Sequence, residues 1–123
     1  MSKIKINSTL KTTNEVIKKE FMGILIEDKI IYNDDAVNVT FSFKNNELIM
    51  KRSSKEYSIE FKFSKNNTTK CVYNVKSENI IVYLDIKTKR LIIEDNRVIV
   101  DYELYQQNEL VESVVFEIIY EVV

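Results

Sequence analysis

Over most of its length this chain alternates apolar and polar residues with a period of two, and that alternation constrains the fold more than any other feature. Tyr57, Ile59, Phe61 and Phe63 alternate with Ser58, Glu60 and Lys62 in the cleanest run. Val37, Val39, Phe41 and Phe43 alternate with Asn38, Thr40 and Ser42, and Ile4, Ile6 and Leu10 oppose Lys3, Lys5, Thr9 and Lys11. Leu48, Met50 and Arg52 share one parity, as do Cys71, Tyr73 and Val75. Ile80, Val82, Leu84 and Ile86 continue the pattern, as do Val98, Val100, Tyr102 and Leu104. Successive side chains of a strand point to opposite faces, so each run has one dry face and one wet face.

Turn chemistry supports the same reading. The chain has one glycine and no proline. Asn45-Asn46, Asn66-Asn67 and Asp95-Asn96 separate the strand patterns, and Asn and Asp tolerate the left-handed backbone that tight hairpins require. Regularly spaced turns suit a meander. With no proline to guard an edge strand, closing the sheet on itself is the way left to remove its edges. The sequence therefore predicts an all-β fold over residues 1–123 as one domain. The expected architecture is a closed antiparallel up-and-down barrel of about eight to ten strands. Gly23, inside Phe21-Met22-Gly23-Ile24-Leu25-Ile26, points to a bulge, a sharp bend or a close backbone approach.

Two segments are ambiguous. Asn14 to Phe21 places Val16, Ile17, Glu20 and Phe21 at helical spacing. Leu110, Val111, Val114, Val115, Ile118, Ile119 and Val122 also recur as a helix face would, yet Val114, Phe116, Ile118, Tyr120 and Val122 read as a strand face. The β-branched and aromatic content of this stretch favours a strand. A helix over 109–123 would make the fold α+β and leave the barrel open.

Composition removes several functions. The chain has 18 basic and 19 acidic residues, a net charge of -1, which lacks the basic excess of a general polyanion binder. Glu60-Phe61-Lys62-Phe63 interleaves aromatic and basic residues, but Lys62 opposes the two phenylalanines, whereas a base-stacking platform sets them on one face. No nucleic-acid partner is expected. Histidine is absent, which removes Ser-His-Asp and Cys-His catalysis and histidine-ligated zinc. Cys71 is the only cysteine, so no disulfide or multi-cysteine metal site forms within the chain, and its apolar strand context reads as core. The neighbouring carboxylates Glu27-Asp28, Asp34-Asp35 and Glu94-Asp95 point to opposite faces on a strand. Asp101 and Glu103 share a face that reads as solvated exterior. No catalytic motif, cofactor motif or metal site stands out, so an enzyme is not the expected reading. No run approaches a signal-peptide core or the roughly 20 apolar residues of a membrane span. The expectation is a soluble cytoplasmic protein without membrane insertion.

The order of features also matches a known pattern. Ile4-Lys5-Ile6-Asn7-Ser8 opens it, followed by Phe21-Met22-Gly23-Ile24 and Lys29-Ile30-Ile31-Tyr32-Asn33-Asp34. Leu48-Ile49-Met50-Lys51-Arg52-Ser53, Tyr73, the run from Ile80 to Thr88, and Val98-Ile99-Val100-Asp101-Tyr102-Glu103-Leu104 complete it. In this order, from Ile4 to about Tyr120, the chain resembles the YwiB-like bacterial family, a domain of unknown function with a calycin or lipocalin-like β-barrel. The chain departs from the family at Ser53, Asn79 and Asp95-Asn96, where glycine is usual. The resemblance implies a barrel and no particular activity, since fold does not imply function.

A barrel of about eight strands encloses either packed side chains or one small ligand. Phe41, Phe43, Tyr57, Ile59, Phe61, Phe63, Tyr73 and Tyr102 are the inward candidates. In a ligand cavity the phenols of Tyr57, Tyr73 and Tyr102 would be polar anchors, and Arg52 would pair with a carboxylate or phosphate at the mouth. In a packed barrel the aromatics fill the interior and Arg52 extends to water. Two functions follow: a noncatalytic binder of a small apolar or amphipathic ligand, or a protein-interaction or homodimerisation module with a packed, ligand-free barrel. The second would use an outer apolar stripe such as Ile49, Ile81, Ile99 or Ile119.

Overall fold

The computed structural model describes residues 1–123. Its ten strands are β1 Ser2–Lys11, β2 Val16–Ile26, β3 Lys29–Asp34, β4 Val37–Lys44, β5 Glu47–Ser53, β6 Tyr57–Ser64, β7 Thr68–Val75, β8 Ile80–Glu94, β9 Arg97–Gln106 and β10 Glu109–Val122. Each strand pairs antiparallel with the next, and β1 lies between β2 and β10, closing the barrel. The predicted meander is the fold. No helix is long and apolar enough to cross a membrane.

Both ambiguous segments are strands. Residues 109–122 pair with β9 on one side and β1 on the other. Val114, Ile118 and Tyr120 face the core, and Phe116 packs against it. The helical spacing of the segment reflects apolar residues on both faces. Val16 and Ile17 begin β2, pairing with Lys11 and Leu10.

Ile4, Ile30, Leu48, Phe63, Val98 and Ile118 are essentially inaccessible and fill the barrel end where β1 begins. Strand β8 is the longest and changes parity at a bulge between Thr88 and Arg90. Ile86 and Thr88 are buried before it, and Leu91 packs on the core after it.

Asn45-Asn46 and Gln107-Asn108 have positive φ at both residues, as a tight right-twisted hairpin demands. Asn66 has positive φ, whereas neither Asp95 nor Asn96 does. That last turn is held differently: the Tyr120 backbone N–H donates to the Asn96 carbonyl at 2.9 Å, and the Tyr120 hydroxyl donates to the Asp95 carbonyl at 2.6 Å. Gly23 serves close approach. A Cβ there would lie 2.8 Å from the Ile31 carbonyl oxygen and 2.8 Å from Ile6 Cδ1.

One seam of the barrel is short. Strands β2 and β3 pair only from Gly23 opposite Tyr32 to Ile26 opposite Lys29, while β1 and β2 pair along all of β1. From Val16 to Met22 the β3 side of β2 is therefore unpaired, and the barrel wall parts there.

Candidate functional site

Three charged side chains occupy inward positions beside this parted seam. Lys19 lies between Ile17 and Phe21 on the inner face of β2. Asp34 follows Ile30 and Tyr32 on β3, and Arg52 follows Leu48 and Met50 on β5. The period of two gives each the parity of its apolar neighbours, so the barrel carries them inward at one end. Lys19 Nζ donates to Asp34 Oδ1 at 3.2 Å, and Arg52 Nη2 donates to Asp34 Oδ2 at 3.1 Å. One carboxylate, 15% exposed, thus serves two cations.

Burial acts to raise the pKa of Asp34, but hydrogen bonds from Arg52 and Lys19 outweigh it and hold the carboxyl below its ordinary value. Burial pushes the Tyr32 phenol up to about 12, with Arg52 pulling down and Asp34 pushing up. Burial likewise raises the pKa of Tyr102, with Cys71 adding to the effect and Arg52 opposing it. Both phenols are therefore protonated and able to donate at neutral pH.

These groups line a cavity of about 270 Å³ that also contacts Ser8, Leu10, Ile17, Phe21, Met50, Phe61 and Phe116. Phe21 stacks on Tyr32 with ring centroids 4.5 Å apart, forming an apolar wall beneath the charges. Two cations, one carboxylate and several hydroxyls thus sit at the mouth of an apolar chamber.

Of the four residues named from the sequence, Arg52 and Tyr102 line this cavity. Tyr57 and Tyr73 do not. They stack on each other, half-buried, with centroids 5.7 Å apart and planes 7° from parallel. Lys19, Asp34, Ser8 and Tyr32 were missed. Their signal was present: each is a polar-bearing residue at the parity of an apolar strand face. Asp34 is also not paired with its sequence neighbour. Asp35 lies in the following turn with φ 54°.

Of the four residues expected on an outer apolar stripe, one is covered. Ile81 and Ile119 are exposed and Ile49 is half-buried, but Ile99 is only 4% exposed. It faces outward beneath a groove bordered by Lys18, Arg90, Arg97 and Glu117, whose long side chains cover it. Cys71 is buried at the core, and burial pushes its thiol up to about 12. Asp101 and Glu103 lie on the outer face, where Glu103 meets Lys89 at 3.4 Å. No three carboxylates and thiols converge as metal ligands would.

The family described as "Domain of unknown function (DUF1934)" matches residues 3–118. The chain belongs to this family. Among solved structures it is similar to the crystal structure of ywiB protein from Bacillus subtilis, with 16% identity and a TM-score of 0.68. That match covers 98% of this chain and 90% of the other. At such identity the likeness establishes the fold, and the family resemblance read from the order of strand motifs holds. A search of curated proteins found no match.

Proposed function

We propose that the chain is a noncatalytic binder of a small amphipathic acid, whose apolar body enters the barrel and whose anionic head meets Arg52 and Lys19. The observation that carries this reading is the shared Asp34 carboxylate: Arg52 and Lys19 have only that one counter-charge between them in the cavity. The site retains an excess positive charge beside an apolar wall, and a guanidinium binds a carboxylate or phosphate bidentately. The volume limits the ligand. About 270 Å³ lies just under the roughly 300 Å³ at which drug-sized pockets begin, which suits a short chain or a single ring.

Catalysis fits the site poorly. Its carboxyl is held below the usual range and its two phenols above theirs. None of these three groups is thus poised to exchange a proton near neutrality.

Calorimetric titration with octanoate and octanol tests the proposal. Octanoate should bind, octanol should bind much more weakly, and Arg52→Met should erase the difference while the circular dichroism spectrum is unchanged. Equal binding of acid and alcohol, or binding of neither, would refute a cation-anchored amphiphile site.

A further inference from the structure

The chamber behind Arg52 and Lys19 is not purely apolar. Ser8, Tyr32 and Tyr102 line it, and they are 8%, 4% and 5% exposed. Ser8 lies opposite Lys19, and Tyr32 lies level with Arg52 across β4. Tyr102 stands farther in. Its ring is 4.7 Å from that of Phe63 and 6.1 Å from that of Phe61, centroid to centroid. On β6 these two phenylalanines follow Ile59, the partner of Arg52, towards the packed end of the barrel.

The Tyr102 hydroxyl has no hydrogen-bond partner in the protein, yet Thr88 Oγ1 is the only side-chain polar atom that is both sealed in and unpartnered. The phenol oxygen of Tyr102 is therefore open to the cavity. Buried hydroxyls are ordinarily hydrogen-bonded. Water meets that need in a wet chamber, and about 270 Å³ with several polar groups is roomy enough to hold it. A plain alkyl tail that displaced this water would strand the phenol and lose affinity. A tail carrying an oxygen at that level would keep the bond.

We infer that the ligand is a hydroxy acid whose carboxylate meets Arg52 and Lys19 and whose chain hydroxyl accepts a hydrogen bond from Tyr102 Oη. This rests on the proposed amphiphile site and adds a second polar contact to it. Two residues of β6 separate Ile59, level with Arg52, from Phe61 beside Tyr102, a rise of roughly 7 Å. The hydroxyl therefore sits along the chain and not on the carbon next to the carboxylate. A site built to bond a ligand hydroxyl discriminates against the analogue that lacks it.

Calorimetric titration with octanoate and with octanoates hydroxylated at the second, third, fifth or eighth carbon tests the inference. In the wild-type chain an isomer hydroxylated beyond the second carbon should bind about tenfold more tightly than octanoate, as a satisfied buried hydroxyl does relative to a stranded one. Tyr102→Phe keeps the ring against Phe61 and Phe63, so its melting temperature should not fall. It should erase the preference, weakening the hydroxy acid and tightening octanoate. Octanoate binding that no hydroxylated isomer exceeds would overturn this inference and leave the amphiphile site standing, whereas failure of every acid to bind would overturn both. A preference that survives Tyr102→Phe would overturn the assignment to Tyr102. Octanoate weakened by that substitution would overturn it as well, by placing the phenol on the carboxylate.

Discussion

Arg52 reaches Asp34 over the intervening strand β4, its guanidinium 3.1 Å from the carboxylate. The register sets Arg52 opposite Val39 and Val39 opposite Tyr32. The guanidinium therefore leans two residues along β3, from the level of Tyr32 to Asp34, and Lys19 reaches the same carboxylate from β2 across the parted seam.

This sharing predicts opposite effects from its two partners. Arg52→Met should weaken binding of octanoate and leave octanol unaffected. Asp34→Asn should strengthen octanoate, because Lys19 and Arg52 lose their internal competitor. The same substitution should lower unfolding free energy by roughly 1.5–3 kcal/mol, the usual worth of a hydrogen bond to a charged group. Calorimetry and urea denaturation measure the two quantities separately. Weaker octanoate binding in Asp34→Asn would show that the carboxylate itself helps to hold the ligand.

The acid limb of stability should carry the signature of Asp34. Its folded pKa lies below the ordinary 3.8, so the unfolded chain takes up a proton first as pH falls. The stabilisation is present in full above 3.8 and is lost as pH drops through the lower folded value. Melting temperature against pH should thus fall more steeply in wild type than in Asp34→Asn at the acid end. Parallel curves there would contradict the depressed carboxyl.

On the alkaline side Tyr32 acts with the opposite sign. Its pKa rises from 10.0 to about 12 on folding, so its contribution is complete below 10.0 and disappears as pH climbs towards about 12. Tyrosinate absorbance of the folded chain should show Tyr32 among its late-titrating phenols. A Tyr32→Phe variant should lose less stability than wild type over that interval.

Gly23→Ala should destabilise the barrel by about 1–3 kcal/mol, the range for overpacking a tight site. The added methyl meets the Ile31 carbonyl and Ile6 Cδ1, each at 2.8 Å. The Ile6→Val substitution removes that Cδ1, so the double variant should be less destabilised than the sum of the two single changes. Additive losses in a urea double-mutant cycle would place the whole strain on the Ile31 backbone.

The β9–β10 turn can be improved. Gln107 and Asn108 have φ of 51° and 66°, and left-handed backbone costs an ordinary side chain roughly 1–2 kcal/mol. Replacing the pair with Asn-Gly should raise stability by about 1 kcal/mol. An unchanged or lower denaturation midpoint would argue against turn strain.

Much of this protein was legible because a strand has period two. Parity alone placed Ile4, Phe41, Phe61, Val100 and Tyr102 inside, and the scarcity of glycine pointed to asparagine at the hairpins. The same rule placed Arg52 inward, and applied to Asp34 and Lys19 it would have done so there as well. Parity says which face a residue takes; it does not say which residues of distant strands meet on that face. That depends on register, on the bulge of β8 at Thr88/Arg90 and the register shift of β10 between Leu110 and Glu112, and on where the barrel seam parts, all of which are settled by backbone hydrogen bonding and packing along ten strands at once. The sequence by itself therefore determined an all-β chain with one dry face per strand. Only tertiary structure joined Lys19, Asp34 and Arg52 into one site, set Tyr57 and Tyr73 apart from it, and covered Ile99.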